Sequence, residues 1–194
     1  MTLRLDPRTT ALVLIDVQKG VMALPLTPYG AGQIVENSAL LGRRFGEAGA
    51  TVVLVRVAFS GTYADKLNQE VDSPMQIPPG GLPSDWSDFV PELGGLGADI
   101  IVTKRQWGAF HGTELDLQLR RRGITTVVLG GVATNFGVES TAREAWQHNY
   151  AVVVAEDAST SIGAGLHQFS IETILPRIAR VRSTAEIAAA LQAA

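Results

Sequence analysis

No cysteine occurs anywhere in the 194-residue sequence. Disulfides, thiolate metal sites and a thiol nucleophile are therefore excluded. Histidine is scarce, and neither His148 nor His167 has a partner at metal-ligand spacing, so no metal and no other cofactor is expected. The 16 Lys and Arg residues are dispersed and outnumbered by 19 Asp and Glu, for a formal net charge of -3. Such a balance carries no electrostatic footprint for nucleic acid. No apolar run approaches the roughly 20 residues that span a bilayer, and the opening MTLRLDPRTT lacks the long apolar region of a secretion signal. These absences lead to the expectation of a cytoplasmic protein with a small-molecule substrate and neither nucleic-acid nor membrane partners.

What remains is ordinary for a globular α/β chain, with 46% hydrophobic and 18% charged residues. A single domain over residues 1–194 can bury roughly 70% of its unfolded surface. Apolar or β-branched runs at 11–15, 51–57, 100–103, 125–129, 151–154 and 178–181 predict six strands. Helical patterns fall between them, over 33–48, from Leu115 to the arginines at 120–122, from about Val138, over 162–175 and over 184–191. Five of the nine prolines and six glycines lie within residues 58–99. So long an irregular stretch predicts a functional loop or lid, whose Tyr63, Trp86 and Phe89 line either a pocket or a subunit contact.

The densest local signal is residues 125–147, TTVVLGGVATNFGVESTAREAWQ. A charge-free strand ends at Gly130 and Gly131, and a helix begins near Val138 with Ala142, Ala145 and Trp146 on its apolar positions. In an open α/β sheet the space above such a turn is where ligands sit. GGVATNFG has the wrong spacing for a dinucleotide loop and no Gly-Lys-Ser/Thr follows, which argues against a nucleotide. Asp16 directly follows the first strand and serves either as a catalytic acid at the sheet edge or as a turn residue. Lys104 ends the third strand, as a surface charge or as a cation steadying that acid. Arg56 is a substrate-side cation or a sheet-edge charge. Trp107 and Phe110 are pocket walls or core, and His111 is a substrate contact or a structural histidine. Glu156 and Asp157 are a supporting acid pair or a turn.

Three of these segments together resemble the isochorismatase-like superfamily, which includes cysteine hydrolases. They are Asp16-Val17-Gln18, Lys104 followed by Gly108-Ala109-Phe110, and Gly131-Val132-Ala133-Thr134-Asn135 with Val138-Glu139-Ser140-Thr141-Ala142-Arg143. The resemblance implies a three-layer α-β-α sandwich, Rossmann-like, around a mostly parallel six-stranded sheet of order 3-2-1-4-5-6. It implies Asp16 and Lys104 as catalytic residues, with Gly137 where cysteine-dependent members carry the nucleophile. Substrate contacts are implied for Gln18, Trp107, Phe110, His111, Val132, Ala133 and Thr134. A cis peptide between Val132 and Ala133 and a homo-oligomer, dimer or tetramer, are also implied.

Gly137 closes the thiolate route. Thr134, Ser140 and Thr141 are conceivable substitutes, yet no histidine is placed by sequence to activate them. Members of the superfamily that also carry glycine here hydrolyse the vinyl ether of isochorismate, which needs an acid and water but no nucleophilic side chain. Asp16 is the acid that this chemistry predicts. The alternative is a catalytically silent relative that binds a metabolite. Burial and Lys104 push the acidity of Asp16 in opposite directions.

Overall fold

The computed structural model describes residues 2–191. Six strands form one parallel sheet of order β3-β2-β1-β4-β5-β6: β1 (Thr10–Ile15), β2 (Thr51–Val57), β3 (Ile100–Lys104), β4 (Thr126–Val132), β5 (Ala151–Thr160) and β6 (Arg180–Arg182). Every residue of β1 is buried, as an uninterrupted TALVLI run requires when both faces of a parallel sheet are covered. Alternate side chains of β1 enter opposite cores. Leu12 and Leu14 join Ile34, Leu41 and Phe45 on one side, while Ala11, Val13 and Ile15 join Leu115, Leu119 and Ala142 on the other. Each fully buried Leu, Ile or Phe contributes roughly 1.5–3 kcal/mol through removal of apolar surface from water.

The first layer is built on the 17-residue helix α2 (Ala31–Glu47), with α7 (Thr184–Ala190) packed beside it. Ser183 caps α7 by accepting from the Glu186 N–H, while the Glu186 carboxylate accepts from the Ser183 N–H, a reciprocal box at the helix start. The second layer holds α4 (Leu115–Arg121) and α5 (Glu139–Gln147). Single turns α1 (Lys19–Met22), α3 (Pro91–Gly94) and α6 (Leu166–Phe169) complete the helices. Among the described residues no helix is long and apolar enough to cross a membrane.

Several element boundaries differ from the sequence expectation for identifiable reasons. Gly130 and Gly131 do not end β4; the strand runs through both to Val132. Gly131 stands opposite Ile15, at φ +119, and a Cβ there would overlap the Ile15 carbonyl oxygen, so the glycine permits close approach of two backbones. β5 continues past Glu156 to Thr160, because a register shift lets β4 pair with it twice, Leu129 with Val154 and Gly131 with Ser159. The helix expected over 162–175 starts only at Leu166, then widens into a π-type turn (Ser170–Ile174) and tightens at Leu175–Arg177, where Pro176 prevents continuation. The last strand is accordingly displaced to 180–182. The Val132–Ala133 peptide bond is cis, as is Thr27–Pro28.

Two glycine substitutions separate these roles. Gly131→Ala is expected to lower stability by roughly 2–4 kcal/mol in urea unfolding, since both its φ and the Ile15 backbone oppose a side chain. Gly46→Ala, on the exposed face of α2 with open space around it, is expected to raise stability by about 0.5–1 kcal/mol. Equal responses would contradict the close-approach account.

Candidate active site

Four neighbouring strands each bring one residue to a cavity of about 270 Å³ at their carboxyl ends: Asp16 just past β1, Val57 of β2, Lys104 of β3 and Val132 of β4. This is the switch point of the sheet, where β1 and β4 are neighbours and their connections leave in opposite directions.

Asp16 takes a left-handed backbone, φ +53, and its N–H donates to the Val55 carbonyl at 2.9 Å. A residue other than glycine pays for that conformation only where neighbouring structure enforces it. The side chains of Asp16 and Lys104 are almost wholly buried, and Lys104 Nζ donates to Asp16 Oδ2 at 2.6 Å and to the Gln106 carbonyl at 3.1 Å. Asp16 Oδ1 is buried with no hydrogen-bond partner among the described residues. Burial raises the Asp16 pKa and the Lys104 ammonium lowers it; burial dominates, and the carboxyl is pushed up to about 6. The competition left open by the sequence is thus decided by desolvation.

Gly137 lies in a π-type turn, Thr134–Val138, that leads into α5. A Cβ at 137 would sit 3.5 Å from Asp16 Oδ2, 3.2 Å from the Val132 carbonyl and 3.0 Å from Ile15 Cγ2. The turn is thus packed closely on Ile15 and Val132, and the glycine places no side chain between Asp16 and the cavity. Thr141, one turn on, donates to the Gly137 carbonyl at 2.7 Å and accepts from the Ala109 N–H at 3.1 Å. The loop after Lys104 and the turn of Gly137 are joined through this one hydroxyl, which leaves Thr141 buried and committed rather than nucleophilic.

Asp16, Lys104, Gly137, Trp107, Val132 and Ala133 converge on the cavity. Four other candidates from the sequence lie off it. Gln18 is fully buried and acts as a strut. Its Nε2 donates to the carbonyls of Val57 and Trp86 at 3.0 and 3.1 Å, and its Oε1 accepts from the Val57 N–H at 2.9 Å. Phe110 turns into the second core against Tyr150, with ring centroids 5.8 Å apart. His111 is exposed on the loop that Gly112 reverses.

Thr134 is also buried away from the cavity, 2.8 Å from His167 Nδ1, whose Nε2 lies 3.2 Å from Glu156 Oε1. The imidazole thus bridges the threonine hydroxyl and the Glu156 carboxyl through its two ring nitrogens. No pattern in the sequence places this histidine beside Thr134. The chain of bonds, extended by Tyr29 OH to Glu156 at 2.6 Å, ties down the turn from behind.

Other walls were not singled out by sequence. Phe59 stacks near Trp86 at 6.4 Å between centroids, and Phe136 sits 4.6 Å from Trp107. Lys66 and Arg105 add two cations to the lining. Trp86 alone of the three loop aromatics reaches the cavity, whereas Tyr63 accepts the Leu82 N–H at 2.7 Å. Arg56 lies against Thr103 and the Phe89 ring, a sheet-edge charge. Asp157 caps α7 through Thr184. Only the adjacency of Arg105 to Lys104 could have flagged a wall residue in advance.

The class is now defined: a three-layer parallel α/β protein with a buried acid–ammonium pair at its switch point and a mostly apolar cavity above it. Residues 10–186 match the Isochorismatase domain. The chain is 49% identical over 189 residues to the uncharacterized isochorismatase family protein YecD of Escherichia coli O157:H7, covering 97% of this chain and all of that one. An isochorismatase family protein of Burkholderia thailandensis superposes with a TM-score of 0.91 at 43% identity, over 98% of each chain. A more distant relative, the ureidoacrylate amidohydrolase RutB of Methylobacterium radiotolerans, is 27% identical over 88% of this chain and 74% of its own. The chain belongs to the isochorismatase family, and it is a hydrolase.

A pH dependence of stability follows from the Asp16 environment. The folded chain holds this proton more tightly than the unfolded chain, so the associated stability is complete below the ordinary carboxyl pKa of 3.8 and is lost as pH rises towards about 6. Relative to wild type, Asp16→Asn is expected to gain in thermal midpoint between pH 4 and 6. Parallel midpoint curves for the two proteins across that window would show that burial does not control this carboxyl.

Proposed function

We propose that this hydrolase acts without covalent catalysis on a small anionic metabolite, cleaving a vinyl ether with Asp16 as general acid. The observation that carries the reading is Asp16 Oδ1, buried at the cavity without a hydrogen-bond partner while Oδ2 is held by Lys104. A proton on Oδ1 faces no competing acceptor on the protein. It transfers to the terminal alkene carbon, leaving an oxocarbenium ion and the Asp16 carboxylate. Water adds to the cation, its released proton restores Asp16, and the hemiketal collapses to a carbonyl compound and an alcohol. One water is consumed and no cofactor is needed.

Gly137 puts no side chain between Oδ2 and the cavity in which water or substrate would sit, and Val132 and Ala133 line the adjoining wall. Lys104 steadies the carboxylate formed on proton transfer. A bound anion in the cavity adds negative charge near Asp16 and raises its pKa above the resting value near 6, so that the acid stays protonated in the complex. The reading takes the whole chain as one catalytic domain, working in the cytoplasm as a dimer or tetramer. Exposed Leu24, Trp107 and Ile162 beside the cavity support association.

Pyruvate release from isochorismate by the purified protein tests the chemistry. Release is expected to fall by roughly 100- to 10,000-fold in Asp16→Asn, and wild-type kcat/KM is expected to decline as pH rises through about 6. Turnover unaffected in Asp16→Asn would remove Asp16 as the acid, and absence of release would discard isochorismate.

A further inference from the structure

The cavity is unusually poor in groups that recognise hydroxyls. Its neutral hydrogen-bonding side chain, Gln106, spends Nε2 on the carbonyls of Gly108 and His111, at 3.1 and 2.7 Å, and Oε1 on the Arg105 N–H at 3.2 Å. Lys104 is committed to Asp16 Oδ2 and the Gln106 carbonyl, which leaves Asp16 Oδ1 as the one unpartnered oxygen of the pair. Apart from the cations Lys66 and Arg105 and the indole N–H groups of Trp86 and Trp107, the rest of the wall is apolar, dominated by the rings of Phe59, Trp86, Trp107 and Phe136.

Trp86 is a fixed part of that wall. A Cβ on Gly20 would overlap the indole ring, so the ring lies directly on the backbone of α1. Its own carbonyl accepts from the Gly20 N–H at 3.0 Å and from Gln18. An indole held at its backbone by two hydrogen bonds presents a flat surface at little entropic cost.

The charge in the lining is one-sided. Arg105 spends Nε on Asp65 at 2.6 Å and places Nη1 3.5 Å from the Lys104 carbonyl, whereas Lys66 donates only to the Leu67 carbonyl at 2.9 Å and has no carboxylate partner among the described residues. Asp16, already paired, is the lining's one acid.

From these features we infer that the site takes a monocarboxylate with a flat, apolar body, such as an enol ether of pyruvate with an aromatic alcohol, in preference to hydroxylated or multiply charged acids. Isochorismate, a hydroxylated dicarboxylate, then reports the bond cleaved and is not the best-fitting substrate. The carboxylate meets Lys66 and Arg105, and the ring lies against Trp86 and Phe59 or against Trp107 and Phe136. Hydroxylated acids would lose hydration that this wall does not replace. The inference rests on the cavity being the substrate site proposed above, but it concerns recognition and not turnover.

Fluorescence provides a direct test, because two of the three tryptophans line the cavity and the third, Trp146, is exposed on α5. In a Trp146→Phe background, phenoxyacetate is expected to change the emission of Trp86 and Trp107 and to bind at least about ten-fold tighter than neutral phenoxyacetamide, the scale of a hydrogen bond to a charged group. Malate is expected to bind more weakly than both. Lys66→Gln, in an irregular loop outside both cores, is expected to narrow the acid-over-amide preference several-fold while leaving phenoxyacetamide binding unchanged. No response to phenoxyacetate, malate binding as tightly, or a preference unmoved by Lys66→Gln would each overturn the inference. Binding of phenoxyacetate by a protein that hydrolyses no vinyl ether would defeat the mechanism and leave the recognition standing. Turnover of isochorismate without phenoxyacetate binding would do the reverse.

Discussion

An aspartate and a lysine share a water-poor pocket floor, and the remainder of the site is arranged around keeping them there. Removing either ion from water carries a penalty of several kcal/mol, which their mutual attraction offsets only when geometry is good. Here the geometry comes from the sheet. β1 and β3 are separated by β2, and Lys104 reaches across the end of β2 to meet Asp16, whose left-handed backbone turns its carboxylate towards the cavity. The pair satisfies only one carboxylate oxygen. That partial satisfaction costs stability, since a buried carboxylate oxygen is left without a hydrogen bond.

Close approach of β1 and β4 is the second requirement. Ile15 and Gly131 are register partners, and the missing side chain at 131 lets the two backbones come together. The turn carrying Gly137 is thereby brought beside Asp16. Behind that turn, Thr134, His167 and Glu156 form a buried hydrogen-bonded chain that satisfies the polar groups the turn would otherwise leave exposed to an apolar core.

Strand positions were legible because a parallel sheet covered on both faces demands continuous apolar runs, and residues such as Leu12 to Ile15 have no other use. Asp16 and Lys104 were legible because charge at the end of such a run is conspicuous. The extension of β4 through two glycines was not, since glycine signals a turn locally and a close contact only when its neighbour in space is known. Gln18 misled in the opposite direction: a polar side chain beside a catalytic acid reads as a substrate contact, yet three bonds to backbone make it a brace. Phe110 reads as a wall in sequence and Phe136 draws no notice, whereas the structure turns the first into the core and the second onto the cavity. Lys66 and Phe59 lie in or beside a stretch without periodicity, where nothing in the pattern indicates which way a side chain faces.

The hydroxyl of Thr141 has a mechanical meaning. By joining Ala109 to Gly137, it makes the Trp107 loop and the glycine turn one stiff body, with α5 as its spine. The opposite wall is uneven: Trp86 is held through its backbone by Gly20 and Gln18, whereas Leu67, Val71 and Met75 are exposed, which makes the stretch around residues 67–75 the less tightly packed part. The mouth of the cavity therefore lies at the exposed Leu67 and Met75, on the side away from the stiff body that carries Gly137.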